Sequence, residues 1–406
     1  MVANGRRGHG AARNHLEDLR GASRLAIEAT RSVTDLVEAM HLTIGGGPAI
    51  LGRPLEAPTR VLTSPIYKSI RGVTRLVGIS IDRALARLAP LVREGAPGPE
   101  REAVLAVLNG VLGDYLSATG NPLAIQMQLR QGGHPLKPER RALQAHLPRA
   151  GGKLLLLLHG SCLNDRKWFR HGHDHGAALA RDLGYTPVYL LYNSGLHISS
   201  NGRAFAALLE ELVAEWPVRL DELVILGHSM GGLVARSACH YAEAAGHHWR
   251  PKLDKLVCLG SPHHGAPLER GGNWFELLLN STRYSAPLSQ LGRIRSAGVT
   301  DMRFGLVLDE HWEGTERFAS PRDPRRTLKL PDGVECYAIA ATTAPGPRDR
   351  LPGDGLVSVD SALGRHRKPE LTLAFPETHQ WIGFGMSHFE LLNRAEVYRT
   401  LRRWLH

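Results

Sequence analysis

The sequence predicts an α/β fold: a mostly parallel central sheet with helices on both faces, preceded by an all-helical region. Three observations carry this. Beyond residue 150, short apolar runs alternate with amphipathic stretches, the βαβα order of a parallel sheet. Lys153–Leu158 reads KLLLLL, apolar on both faces, which suits a central strand covered by helices on either side. In residues 1–120, apolar positions instead recur at threes and fours.

The elements follow in order. Leu19, Ala26, Val33, Leu36, Val37 and Met40 mark a helix running from Leu16, which Gly45-Gly46-Gly47-Pro48 stops. A second spans Tyr67–Val92 and a third Glu102–Leu116. At Gly120-Asn121-Pro122 the pattern changes. Ile125, Met127 and Leu129 alternate with polar residues, the period of a half-buried strand, and Gly132-Gly133 supplies a turn. After the Lys153–Leu158 strand, further strands are expected near Thr186–Tyr192, Glu222–Leu226, Lys255–Leu259, Val334–Ile339 and Leu371–Phe375. Helices are expected near Gly176–Leu183, Gly202–Glu215, Gly231–Ala245 and Phe389–Leu405. The stretch 265–332 interrupts the alternation. With Trp274, Phe275 and Leu277–Leu279 it reads as a cap inserted over the sheet's carboxyl edge. The domains are therefore 1–120, helical, and 121–406, the α/β unit with its cap.

Composition narrows the function. Of 406 residues, 43% are hydrophobic, enough for a sizeable core and against a disordered chain. Four cysteines exclude a disulfide scaffold, and Cys162, Cys239, Cys258 and Cys336 lack metal-knuckle spacing. The start of the chain lacks the apolar core of a secretory signal, and the purest apolar run is five residues against the about 20 that span a bilayer. A reducing cytoplasm is the expected home. The net charge of +11 is uneven: residues 1–150 hold 20 Lys and Arg against 12 Asp and Glu. Basic amphipathic helices there suit contact with an anionic membrane or granule surface, or plain packing onto the α/β unit. Tyr67 and Tyr115 are the only aromatics in residues 1–120, too few for the stacking that nucleic-acid binding uses.

The chemistry-bearing motif is Gly227-His228-Ser229-Met230-Gly231-Gly232, a G-x-S-x-G between a predicted strand and a predicted helix. This spacing places Ser229 on a sharp, strained turn with its hydroxyl exposed at the sheet's edge, a candidate nucleophile. A serine needs a base. His388, after the last expected strand and before the last helix, is the candidate, with His379 and His406 as rivals. An acid must orient that base. Asp354, in a Gly-rich loop, is favoured over Asp360 and Asp349. Two backbone N–H groups must receive the oxyanion. Met230 supplies one, and the turn after Leu158-His159-Gly160 the other, at Ser161 or else Cys162. His171, His173, Asp174 and His175 have the look of a metal cluster, but no second-shell pattern accompanies them and no metal or cofactor is expected.

GHSMGG, the upstream LLHG, GSPHHGAP, DGLVSVDSA and the SHFELL ending occur together and in order. The set resembles the α/β-hydrolase esterases and lipases over residues 121–406. Within them it is similar to the hydrolase region of GPI inositol-deacylases and of triacylglycerol lipases. The resemblance implies Ser229 as nucleophile, Asp354 as acid and His388 as base, with oxyanion donors at Met230 and just after Gly160. It implies a cofactor-independent hydrolase of carboxylic esters, with lipid or other small-molecule esters as substrates. Many lipases carry an apolar residue where this chain has Ser161, and residues 1–120 match none of these motifs.

Overall fold

The computed structural model describes residues 98–266, 296–314, 323, 325 and 328–406. The expected helices Leu16–Met40 and Tyr67–Val92, with Leu25, Val33, Leu36 and Ile70, lie outside the described residues, as does much of the expected cap.

Helix α1 (Gly98–Ala118) comes first, then the hairpin β1 (Gln128–Gln131) and β2 (His134–Leu136). Gly132 and Gly133, at φ 56° and 79°, form its turn, a backbone that side-chain-bearing residues rarely adopt. After α2 (Arg140–His146) the alternation begins: β3 (Lys153–Leu158), α3 (His175–Leu183), β4 (Thr186–Leu191), α4 (Ile198–Ala214), β5 (Glu222–His228), α5 (Met230–Ala245) and β6 (Leu253–Leu259). The short α6 (Ala297–Asp301), β7 (Glu335–Thr342), α7 (Val359–Ala362), β8 (Gln380–Phe384) and α8 (Ala395–Trp404) complete it. The eight strands form one sheet in the order β2-β1-β4-β3-β5-β6-β7-β8. β1 is antiparallel to both neighbours, and every pair from β4 to β8 is parallel.

β3 and β5 lie at the centre. Leu154 to Leu158 have no exposed surface, and their side chains divide between two cores, one on each face of the sheet. Each leucine so buried contributes about 1.5–3 kcal/mol, the reason the run is apolar throughout.

Two expectations fail. Leu371–Phe375 is not a strand. Leu371, Leu373 and Phe375 point inward, so the alternation is real, but a 3-10 turn at Pro369–Leu371 and Pro376 bracket the segment. The amide of Leu373 bonds Gly364 rather than a neighbouring strand. The edge strand is β8, which pairs with β7. The expected helix Phe389–Leu405 is divided into a 3-10 turn, His388–Leu392, and α8. Ser387 and Glu390 close a capping box on that turn.

Helix α1 packs onto the α/β body. Val107 and Val111 belong to the core on its face of the sheet. Glu102 bonds Arg130 of β1 and Arg166 at 2.6 Å each, and Arg130 also meets Asp165 at 3.0 Å. Burial works to raise the Glu102 carboxyl, but its two arginines hold it below the usual range.

Candidate active site

Ser229 joins β5 to α5. Its backbone sits at φ 54°, ψ −122°, in the left-handed region that favours glycine, and its N–H donates to Leu259 O at 2.8 Å. The flanking glycines are required by contact. A Cβ on Gly227 would lie 2.4 Å from the Gly232 nitrogen, and one on Gly231 2.3 Å from the Leu158 carbonyl oxygen. Both are backbone atoms that no rotamer change can move. Their absence lets the end of β3 and the first turn of α5 close on the serine. Gly160 belongs to the same junction, where a Cβ would meet Ser229 Cβ at 3.0 Å.

Asp354 and His388 meet beyond β7 and β8. His388 Nδ1 lies 2.7 Å from Asp354 Oδ2, and the His388 N–H donates to the Asp354 carbonyl at 3.0 Å. The other carboxylate oxygen accepts the N–H groups of Leu356 at 2.9 Å and Val357 at 2.8 Å. Both side chains are buried. The carboxylate is thus fixed by its own loop and aimed at one imidazole nitrogen, which leaves Nε2 of His388 buried with no hydrogen-bond partner. The strand end Leu259-Gly260 touches both groups. Leu259 O holds the Ser229 amide, and a Cβ on Gly260 would lie 3.2 Å from the His388 ring. The ring of His228, beside the serine, is 4.8 Å from that of His388.

The rivals stand elsewhere. Asp360 and Asp349 are exposed. His379 stacks on Tyr337 at 4.1 Å with Nδ1 near the Cys336 carbonyl, and His406 is exposed.

Of the two expected oxyanion donors, Met230 follows the serine directly, and Ser161 follows Gly160, which abuts the serine. Met230 is the first residue of α5, where an N–H has no carbonyl one turn back to bond. Of the loop after β3, the Cys162 N–H donates to Ser194 Oγ at 3.0 Å, which commits that amide and leaves Ser161 as the candidate. Burial pushes the Cys162 thiol up to about 12, so it stays protonated and inert.

Sequence reasoning missed the brace behind this loop. Gly110 and Gly113, one turn apart on α1, press on Cys162 and Asn193: a Cβ on Gly110 would lie 2.2 Å from Cys162 Sγ, and one on Gly113 1.8 Å from Asn193 Oδ1. Asn193 Nδ2 donates to the Gly113 carbonyl at 2.9 Å. The adjoining Ser194 holds Cys162. Asn193-Ser194-Gly195 does look like a turn, but nothing local in sequence joins it to α1 or to Cys162.

His173, Asp174 and His175 of the histidine cluster are engaged with one another and with the fold. Asp174 caps α3 and accepts the Tyr189 hydroxyl, while His173 Nε2 faces His175 Nδ1 at 2.8 Å. Among the described residues, no group of His, Cys, Asp or Glu could hold a metal ion. No helix there is long and apolar enough to cross a membrane.

Six parallel strands, one antiparallel hairpin and a serine elbow after the central β5 make this the α/β-hydrolase fold. A family model described as a PGAP1-like alpha/beta domain matches residues 208–327, the stretch that includes the elbow. The mature lipase BlEst2 of Bacillus licheniformis is similar at 16% identity, over 69% of this chain and 98% of that one, with a TM-score of 0.41. A soluble variant of monoglyceride lipase from Saccharomyces cerevisiae is similar at 13% identity, over 63% and 86%, TM-score 0.39. The NocB thioesterase domain is similar at 14% identity, over 64% and 97%, TM-score 0.38. Comparison with curated proteins returns no match.

Proposed function

We propose that this chain is a serine hydrolase of carboxylic esters, acting through an acyl-serine intermediate. The observation that supports the reading is the buried Asp354–His388 pair, which leaves Nε2 without a hydrogen-bond partner, together with the strained backbone of Ser229. In the proposed reaction Ser229 Oγ attacks the acyl carbonyl as His388 Nε2 takes its proton. Asp354 stabilises the imidazolium, and the Met230 and Ser161 N–H groups receive the oxyanion. The imidazolium returns its proton to the departing alcohol. His388 then draws a proton from water, which attacks the acyl-serine and releases the acid. No cofactor takes part. Thioesters and acyl transfer use the same machinery, so the ester is the commitment that the assay tests. Trp274, Phe275 and Leu277–Leu279 favour hydrophobic acyl chains. The four free, buried cysteines support a reducing, cytoplasmic setting.

Ser229→Ala is expected to abolish p-nitrophenyl ester hydrolysis and fluorophosphonate labelling while thermal unfolding stays cooperative. A folded variant with full activity would sink this assignment.

A further inference from the structure

Away from Ser229, α5 carries a buried cation that no acid among the described residues neutralises. Arg236 is 4% exposed and sits seven residues along the helix from Ser229, about 10 Å at 1.5 Å per residue. Its Nη2 donates to the Leu328 carbonyl at 2.7 Å and its Nη1 lies 3.3 Å from Nδ1 of His263. Its Nε has no partner, and no carboxylate among the described residues bears on it. Burial lowers its pKa to about 10, so at neutral pH it keeps its charge.

The neighbours add donors. With Nδ1 of His263 turned to Arg236, the ring proton belongs on Nε2, which is buried and also without a partner. Arg325 is spent on Asp323, at 2.6 Å and 2.8 Å, and donates to the His263 carbonyl at 3.0 Å. Asp323 is therefore occupied by Arg325, which leaves Arg236 without an acid of its own among the described residues. Arg236, Arg325, His263, His264 and His311 line a cavity of about 20 Å³ with no acid among its described lining residues. A buried charge left unpaired is strongly destabilising, and polar groups inside a protein are ordinarily satisfied. The cavity has room for about one sphere of water size, too little for a carboxylate or phosphate ligand.

We infer that this cavity binds one small monovalent anion of the chloride class, against Arg236 Nε–H and His263 Nε2–H. The ion completes the charge balance among the described residues and ties α5 to the loop after β6 and to Arg325 and Leu328. The site is separate from the proposed chemistry at Ser229.

The test compares thermal unfolding of the full chain in sodium chloride and in sodium gluconate at matched ionic strength. A saturable rise in Tm is expected in chloride alone, as for any ligand that binds only the folded state. Arg236→Gln should lose that difference. Should this variant not fold, crystals of the unaltered protein soaked in sodium bromide decide: an anomalous peak between Arg236 and His263 is expected. Equal melting in the two salts, a chloride effect that survives in a folded Arg236→Gln, or a bromide-free water at that position would each overturn the inference.

Discussion

Gly110→Ala puts one methyl group where α1 touches the loop after β3. The new Cβ would lie 2.2 Å from Cys162 Sγ and 2.9 Å from Cys162 Cα. Ordinary contacts run about 3.5–4.0 Å, so the thiol must retreat by more than about 1 Å and the backbone by about half that. The thiol can rotate, but the Cα moves only with its peptide, and the peptides before it include the Ser161 N–H. Overpacking of this kind costs about 1–3 kcal/mol, offset by up to about 1 kcal/mol from replacing a helical glycine. The net loss of stability is therefore small. Loss of a whole oxyanion donor lowers kcat by about 10²–10³. A donor displaced rather than removed should cost about 10- to 100-fold in kcat with KM little changed. Steady-state hydrolysis of p-nitrophenyl butyrate, alongside melting curves, gives both numbers. Gly98→Ala, at the far end of the same helix with nothing within 4 Å, is the control and should be silent. Full kcat in Gly110→Ala would refute the idea that α1 braces an oxyanion loop. A lowered Tm with intact kcat would leave the brace standing but take the oxyanion role from Ser161.

The other expectations follow from single contacts. Asp354→Asn should lower turnover by about 10⁴, because the amide favours the wrong tautomer of His388, whereas exposed Asp360→Asn should stay near full activity; kcat in the two variants checks this, and the reverse order would name the wrong acid. Burial depresses His159 and His175 to about 4, so between their unfolded value of about 6.5 and about 4 only the unfolded chain takes up their protons. Stability should therefore fall on acidification across that window, by up to about 1.4 kcal/mol per pH unit for each histidine, and urea midpoints that do not move from pH 7 to pH 5 would contradict it. Removing residues 1–120 takes away α1 and bares Cys162 and Asn193; loss of cooperative melting and of ester hydrolysis is expected, and an unchanged Tm would refute the packing role.

What the sequence made legible was whatever local period or local motif encodes. β3 was plain because a strand buried on both faces can only be apolar throughout. The elbow was plain because Gly227 and Gly231 face backbone at 2.4 Å and 2.3 Å, which leaves no other residue possible. The edge of the sheet was not plain. Leu371, Leu373 and Phe375 alternate as a strand does, yet alternation reports only which side chains point inward. Whether the backbone joins a ladder depends on a partner distant in sequence, and here Gly364 takes the Leu373 amide. The brace on Cys162 was invisible for the same reason, since it joins residues about 50 and 80 positions apart through two glycines and a turn.

The position of α1 also moves the question of surface binding along the chain. Residues 98–120 carry Arg101 against Glu100, Glu102 and Asp114, so they add no basic charge. Glu102 and Asp114 are engaged inward, Glu102 with Arg130 and Asp114 Oδ2 with the Ala297 amide at 3.0 Å. Its apolar side chains Val107 and Val111 are in the core. A helix so committed has neither the free apolar face nor the positive charge that an anionic membrane recruits. Residues 1–97 hold 14 Lys and Arg against 8 Asp and Glu, and residues 121–406 hold 35 against 28, so the basic surplus flanks this helix on both sides in sequence. Any docking of this protein on an anionic surface therefore does not run through α1. What α1 does contact is the loop after β3 and the turn at Asn193, through Gly110 and Gly113.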